Sequence, residues 1–261
     1  DELTLEGPNA GIAGDNQNRG SEATITAANS DERLELGGSN VRIDGFNFEF
    51  GEQAIRSGGG VDALITNNRF ELTAETSNGY AIRAEESATG IDVTNNLFSN
   101  ITSNDGTDGD NANGVVLRDP NGSDVLNNNF SSVDTAVNIG SKTNNTASGT
   151  LLVKDNDFSD ITQFGAVLVN NPDTSLDLDV NNNTVSSSNV GIFVFNASDD
   201  ATFAIDDNSF QDFGGDDRFV DDQAGVLDLG EVKNDNQFSP TPVIDGPEIA
   251  STGVRFNNQS F

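Results

Sequence analysis

One short frame recurs through this chain: Asn or Asp, then Asn, any residue, then Phe. It stands as TNNRF from Thr66, TNNLF from Thr94, LNNNF from Leu126, KDNDF from Lys154 and DDNSF from Asp206. Aligned on the last position, the copies fall at Phe48, Phe70, Phe98, Phe130, Phe158, Val185, Phe210 and Phe238. The steps are 22, 28, 32, 28, 27, 25 and 28 residues. Self-similarity at this period, with insertions of variable length, is the signature of a solenoid.

Each copy carries two short alternating runs. One precedes the Asn pair: Ala63 and Ile65, Ile91 and Val93, Leu178 and Val180, Phe203 and Ile205. The other begins six to sixteen residues after the Phe position: GYAIRA from Gly79, GVVLRD from Gly114, GAVLVN from Gly165, GIFVFN from Gly191. Period two and β-branched enrichment predict strands. The Gly, Asn, Asp and Ser between them are turn formers. Leucine-rich repeats are the nearest rival, but their leucine spacing is absent. The expected fold is all-β: a single-stranded parallel β-helix of roughly nine rungs, a rod of roughly 45 Å at strand spacing. Residues 1–238 form the helix and residues 239–261 a Pro-containing tail with a terminal strand.

In such a rod, equivalent positions stack. Phe70, Phe98, Phe130, Phe158 and Phe210 are expected to point inward and stack ring on ring. Asn68, Asn96, Asn128, Asn156, Asn183 and Asn208 are expected at tight turns, with amides bonded rung to rung as a ladder. The frame thus reads as architecture. The functional alternative is that exposed Asn rows bind sugar hydroxyls.

Charge narrows the function. There are 43 acids against 12 bases, a formal charge of -31, and only Lys142, Lys154 and Lys233 among the lysines. That opposes binding to nucleic-acid phosphates or an anionic membrane surface. It fits cations, or a saline setting that screens self-repulsion; an ordinary acidic secreted protein fits as well. With no Cys and no His, disulfides, thiolate chemistry and zinc, copper or haem sites are not expected. A chain opening at Asp1 without Met is expected to be a processed product or an excised piece. No apolar run reaches membrane-spanning length.

The rung pattern of IDVTNNLFSN and LLVKDNDFSD resembles the right-handed parallel β-helix proteins of the pectate-lyase-like superfold. The opening LTLEGPNAGIAGDNQNRGSEATI resembles the early rungs of that class in large bacterial surface proteins. The resemblance covers residues 3 to about 238. It implies the fold and leaves function open, because the superfold hosts lyases, hydrolases, esterases, epimerases, tailspikes and non-catalytic surface proteins.

Three constellations are candidates for chemistry. First, EQAIR, GYAIR and GVVLR align Arg56, Arg83 and Arg118 in one outward column, near Glu52, Glu85, Glu86 and Asp119. The resemblance implies a lyase role, with Arg83 or Arg118 as the base, Asp119 beside it, and calcium holding a uronate. The calcium cluster such lyases carry is not found in register. The structural reading is a column paired with carboxylates; a third is docking of a carboxylate-bearing partner or polysaccharide. Second, the column is expected to continue as Val169 and Phe195 with Phe193 beside it, an apolar interface unless the register slips by one. Third, Asp105, Asp108, Asp110 and Asn113 in NDGTDGDNANG could supply oxygens to Ca2+, or form a solvated acidic loop. DDRFVDD, residues 216–222, is a weaker site of that kind. Paired carboxylates for glycoside hydrolysis occur by chance among so many acids.

Both ends are expected to present raw strand edges. GVRFNNQSF, with Val254, Phe256 and Phe261, alternates like a strand and echoes the Asn pair, so it could join an open edge, its own or a neighbour's. The expected function is a non-catalytic extracellular or cell-surface module of a surface protein, filament or fibre, assembling through these ends. The partner is a second copy or the rest of a larger surface protein. The alternatives are a lyase-like enzyme and a carbohydrate-binding module.

Overall fold

A computed structural model describes residues 3–26, 34–59, 62–73, 79–85, 88–103, 112–140, 149–171, 176–214, 217–244 and 248–250. The strands wind through eight rungs. The first is β1 (Leu3–Glu6), β2 (Thr24–Thr26) and β3 (Leu34–Leu36). The second is β4 (Val41–Asp44), β5 (Asn47–Phe50) and β6 (Gln53–Ser57). The third is β7 (Ala63–Thr66), β8 (Arg69–Leu72) and β9 (Tyr80–Ala84), and the fourth β10 (Ile91–Thr94), β11 (Leu97–Ile101) and β12 (Asn113–Leu117). In the fifth and sixth rungs the last two strands fuse: β13 (Ser123–Leu126) with β14 (Asn129–Gly140), then β15 (Gly149–Lys154) with β16 (Asp157–Asn171). The seventh is β17 (Leu176–Asn181), β18 (Thr184–Ser186) and β19 (Val190–Ala197), and the eighth β20 (Thr202–Asp206), β21 (Ser209–Gln211) and β22 (Arg218–Asp222).

The first strands form one parallel eight-stranded sheet, in the order β1-β4-β7-β10-β13-β15-β17-β20. The second and third strands form the other walls, each paired in parallel with its counterparts one rung away. The expected parallel β-helix is therefore the fold. The chain then breaks pattern. Helix α1 (Leu229–Asp235) lies across β20, β23 (Gln237–Ser239) pairs with β21, and β25 (Glu248–Ala250) runs antiparallel to both β22 and β24 (Val243–Ile244).

The repeated frame divides its work between its two polar residues. The first of the pair makes the corner. Asn67, Asn95, Asn127, Asp155, Asn182 and Asp207 all have φ of 53–57°, the left-handed region that Asn and Asp tolerate best after Gly. The second forms the ladder. Each ladder amide donates to a carbonyl of the previous rung and to Oδ1 of the next ladder residue, which also accepts the backbone N–H. The amide-to-amide bonds are 2.9–3.2 Å from Asn68 to Asn236, one rung beyond the expected ladder. Asn128, for example, has both Nδ2 protons and both Oδ1 lone pairs satisfied while only 2% exposed. A buried amide is tolerable only when satisfied in this way.

The rings follow. Phe48, Phe70, Phe98, Phe130 and Phe158 stack at centroid spacings of 4.4–5.1 Å with interplanar angles of 4–19°. Val185 interrupts the column, and Phe210 and Phe238 resume it at 5.1 Å. The stack explains why a Gly opens some of the second runs. A Cβ on Gly114 would lie 2.8 Å from the Phe130 ring, and one on Gly191 2.7 Å from the Phe210 ring.

Candidate functional site

The arginines do not form one column. Arg56 pairs with Arg83 in register, but Arg83 pairs with Val116. Arg118 follows Leu117, which pairs with Ala84, so it stands at the level of Glu85. Aligning the copies on their arginines hid this two-residue offset; Ile55, Ile82 and Val115 are the true equivalents. The three side chains meet nonetheless. Arg56 Nε lies 3.2 Å and Arg83 Nε 2.9 Å from Glu85 Oε1, and Arg118 Nη1 lies 2.7 Å from Oε2. The Glu85 side chain is only 12% exposed. Arg83 also lies over the Tyr80 ring, 5.0 Å from its centroid. This arrangement lets one carboxylate screen three cations that would otherwise repel across neighbouring rungs. Arg83 and Arg118 are thus already ion-paired, and Asp119 buries Oδ1 without a hydrogen-bond partner among the described residues.

The expected apolar continuation also changes. The column above Arg83 reads Val116, Asn138, Leu168, Phe193, Asp221. Val169 belongs instead to the inward column of Leu117, Ile139 and Val194, and is fully buried. The register slips between Val169 and Asn170, which pair with Val194 and Asn196. Phe195 is therefore an extra residue in a bulge, turned to the surface at 36% exposure and packed edge-on to Phe193. Phe193, expected at the surface, is buried.

Of the calcium candidates, Asp105, Asp108 and Asp110 lie outside the described residues. Asn113 is a buried strand residue whose Oδ1 accepts from Asn138 Nδ2 at 3.0 Å. The sequence reading missed Asp134. Its buried carboxylate accepts from Ser103 N–H at 2.7 Å and Ala112 N–H at 3.2 Å, the residues flanking the candidate loop, and from the Thr162 hydroxyl at 2.7 Å. Only the register of three successive rungs brings these groups together. In DDRFVDD, Asp216 lies outside the described residues. Asp221 pairs with Arg218 and Gln223, and Asp222 accepts from Gly225 and Leu227 N–H. The Asp222 carboxylate thereby braces the turn after β22. Among the described residues no cluster of three or more acids is placed to hold a metal.

Elsewhere, burial raises the carboxyls of Asp92, Asp124, Asp157 and Asp179 above the usual Asp range; neighbouring acids add to the rise at Asp92, Asp157 and Asp179. Burial raises Asp221 too, against the opposing pull of Arg218. Glu22 moves the other way, lowered chiefly by its hydrogen bond to Arg19.

The two ends differ. At the C-terminal end the expected raw edge is closed. Asp228 caps α1 by accepting from Gly230 and Glu231 N–H, Asp235 carbonyl takes Asp207 N–H, and β25 covers β22. The reversal through the Pro-containing segment makes this antiparallel cover possible. At the first rung, β1, β2 and β3 pair only with the second rung among the described residues. Leu3 is 51% exposed, and Leu5, Ile25 and Leu34 are half-buried. Residues 7–23 between β1 and β2 run along the corner instead. Gly11 N–H donates to Asp44 Oδ1, Gly14 N–H to Asn95 carbonyl, and the Arg19 guanidinium to Asn67 carbonyl. A side chain on Gly14 would strike Asn68 carbonyl at 2.3 Å, so this strap lies flush on the turns. Val254, Phe256 and Phe261 lie outside the described residues.

A family model described as a right-handed β-helix region matches residues 34–210. No curated protein and no solved structure matches the chain.

Proposed function

The chain belongs to the right-handed β-helix family, and from that premise we propose that it is a non-catalytic structural or adhesive module of an extracellular surface protein, filament or fibre. The observation that carries the reading is the unbroken amide ladder from Asn68 to Asn236. The most regular feature of the sequence is thus turned inward, where it stiffens a rod and is not presented to a ligand. The ion-paired arginines fit the same reading: a lyase base must be free to take a proton, and Arg83 and Arg118 both lean on Glu85.

The module works at a cell surface or in saline surroundings, where salt screens a charge of -31. Its partner is another copy of itself or the remainder of a larger surface protein. Calcium bound at Asp105, Asp108 and Asp110 would rigidify the loop whose stem Asp134 holds. Incubation with a panel of acidic polysaccharides tests the reading. No new unsaturated or reducing ends are expected; turnover that Arg118→Ala abolishes would overturn it.

A second reading is favoured by one observation. Three of the twelve bases gather around Glu85, one of them over the Tyr80 ring, in an otherwise acidic chain. A carboxylated glycan docking there without turnover would bind the wild type on a glycan array and lose the Arg83→Ala variant.

A further inference from the structure

The sequence holds seven Asn-X-Ser/Thr tripeptides, at Asn100, Asn121, Asn129, Asn144, Asn182, Asn196 and Asn258. Such a tripeptide is the acceptor for N-linked sugar. In a chain so rich in Asn, Ser and Thr several arise by chance, and the fold decides which are usable. None falls on the ladder, because each ladder Asn is followed two residues later by the Phe or Val of the ring column.

Asn144 and Asn258 lie outside the described residues. At four of the others the tripeptide is locked into a rung. Ile101 and Phe130 are fully buried, and Asn183 is a ladder residue. The Ser123 hydroxyl is fully buried and accepts Ile91 N–H. The Asn100 and Asn182 amides donate to Glu71 and Asp155.

Asn196 differs. It follows the bulged Phe195 near the end of β19. A regular strand turns consecutive side chains to opposite faces; here the extra residue leaves Phe195 and Asn196 both exposed. Ala197 and Ser198 are half-buried, and the chain leaves the rung in a turn where Ser198 Oγ accepts Asp200 N–H. A transferase that engages this tripeptide displaces no ladder amide and no fully buried side chain.

A second observation points to the same ligand. Among the described residues the exposed large apolar side chains are Leu3, in the first strand, and Phe195, directly beside the acceptor. Phe195 is 36% exposed. The apolar face of a pyranose ring covers such a ring while its hydroxyls stay in water. We propose that Asn196 carries an N-linked glycan whose first sugar lies over Phe195. The Asn196 Nδ2–C1 bond forms as the bond from C1 to the phosphate oxygen of a polyprenyl-linked oligosaccharide breaks. The electron pair leaves with the phosphate, and the amide proton passes to a base of the transferase. This rests on the extracellular reading above.

The test is glycopeptide mass spectrometry on the full-length chain isolated from its native cells, with the surface fraction and the cell interior collected separately. In the surface fraction the peptide containing Asn196 is expected to carry sugar, localised to Asn196 by electron-transfer fragmentation. Ser198→Ala, which leaves Asn196 in place, is expected to lower occupancy there about tenfold or more. That unmodified chain is expected to bind more of an apolar fluorescent dye than the wild type, and adding Phe195→Ser is expected to abolish the excess. Surface chain without sugar on Asn196 overturns the inference while the module reading stands. Equal dye binding by the wild type and Ser198→Ala overturns the cover over Phe195. Chain found only inside the cell sinks the module reading, and this inference with it.

Discussion

Asn127 and Asn128 are neighbours with opposite duties, and this makes the sharpest prediction for single residues. Asn128→Ala removes an acceptor from Asn96 N–H and Nδ2, and donors from Val93 carbonyl and Asn156 Oδ1. Leaving those groups buried and unpaired is expected to lower unfolding stability by about 3–5 kcal/mol, read as a fall in denaturant midpoint. Asn127→Ala forces a Cβ-bearing residue without a polar side chain into the left-handed region and is expected to cost about 1 kcal/mol. Asn127→Gly should be close to neutral. Gly191→Ala, which drives a methyl against Phe219 carbonyl and the Phe210 ring, is expected to cost about 1–3 kcal/mol. These roles were half legible in the sequence. The repeat announced turn, ladder and ring, because each is fixed by residue type at one spacing. The ladder falls on the second residue of each pair, as expected; that the turn belongs to the first was not legible, because both sit at the same corner and differ only in φ and in the direction of the amide.

At the scale of elements, register decides everything that the repeat does not. The strand runs were readable from alternation. Their pairing was not, because Arg118, just past β12, stands two positions later than Arg56 in β6 and Arg83 in β9, and β19 carries a bulge. A pattern of alternating residues cannot reveal an even offset, which keeps every side chain on its face. A one-residue offset does change the face: Gly165 pairs through Thr135 with Asn113 and not with Gly114, which turned Val169 inward, while the bulge after Val194 leaves Phe195 on the surface where it was expected. The convergence on Glu85 follows from that offset and has a measurable consequence. Glu85→Gln leaves Arg56, Arg83 and Arg118 crowded without the shared carboxylate. The expected loss is about 2 kcal/mol, discounted for the partial exposure of the guanidinium groups. Adding salt should recover part of it; thermal melts of both proteins at low and high ionic strength check this.

Across the whole molecule, acidity sets the conditions of stability. Asp92, Asp124, Asp157, Asp179 and Asp221 all have carboxyls raised by burial. A raised acid binds more protons folded than unfolded, so it makes stability fall as pH climbs from the ordinary Asp range through the raised value. Lowering pH from neutrality into the window just above that range is therefore expected to raise the melting temperature. Relief of self-repulsion acts in the same direction. Glu22 opposes this only at lower pH: its lowered carboxyl contributes stability above the ordinary Glu range, lost as pH falls through its folded value. The difference between the ends was invisible in the sequence, because closure of the C-terminal end depends on α1 and β25 folding back over β20 and β22. The measurement that reaches the central claim most directly is electron microscopy of the purified 261-residue chain at high ionic strength, with and without millimolar calcium. The account predicts linear filaments whose axial repeat is one rod, roughly 40–45 Å at strand spacing. Isolated rods at every concentration, in both conditions, would contradict it.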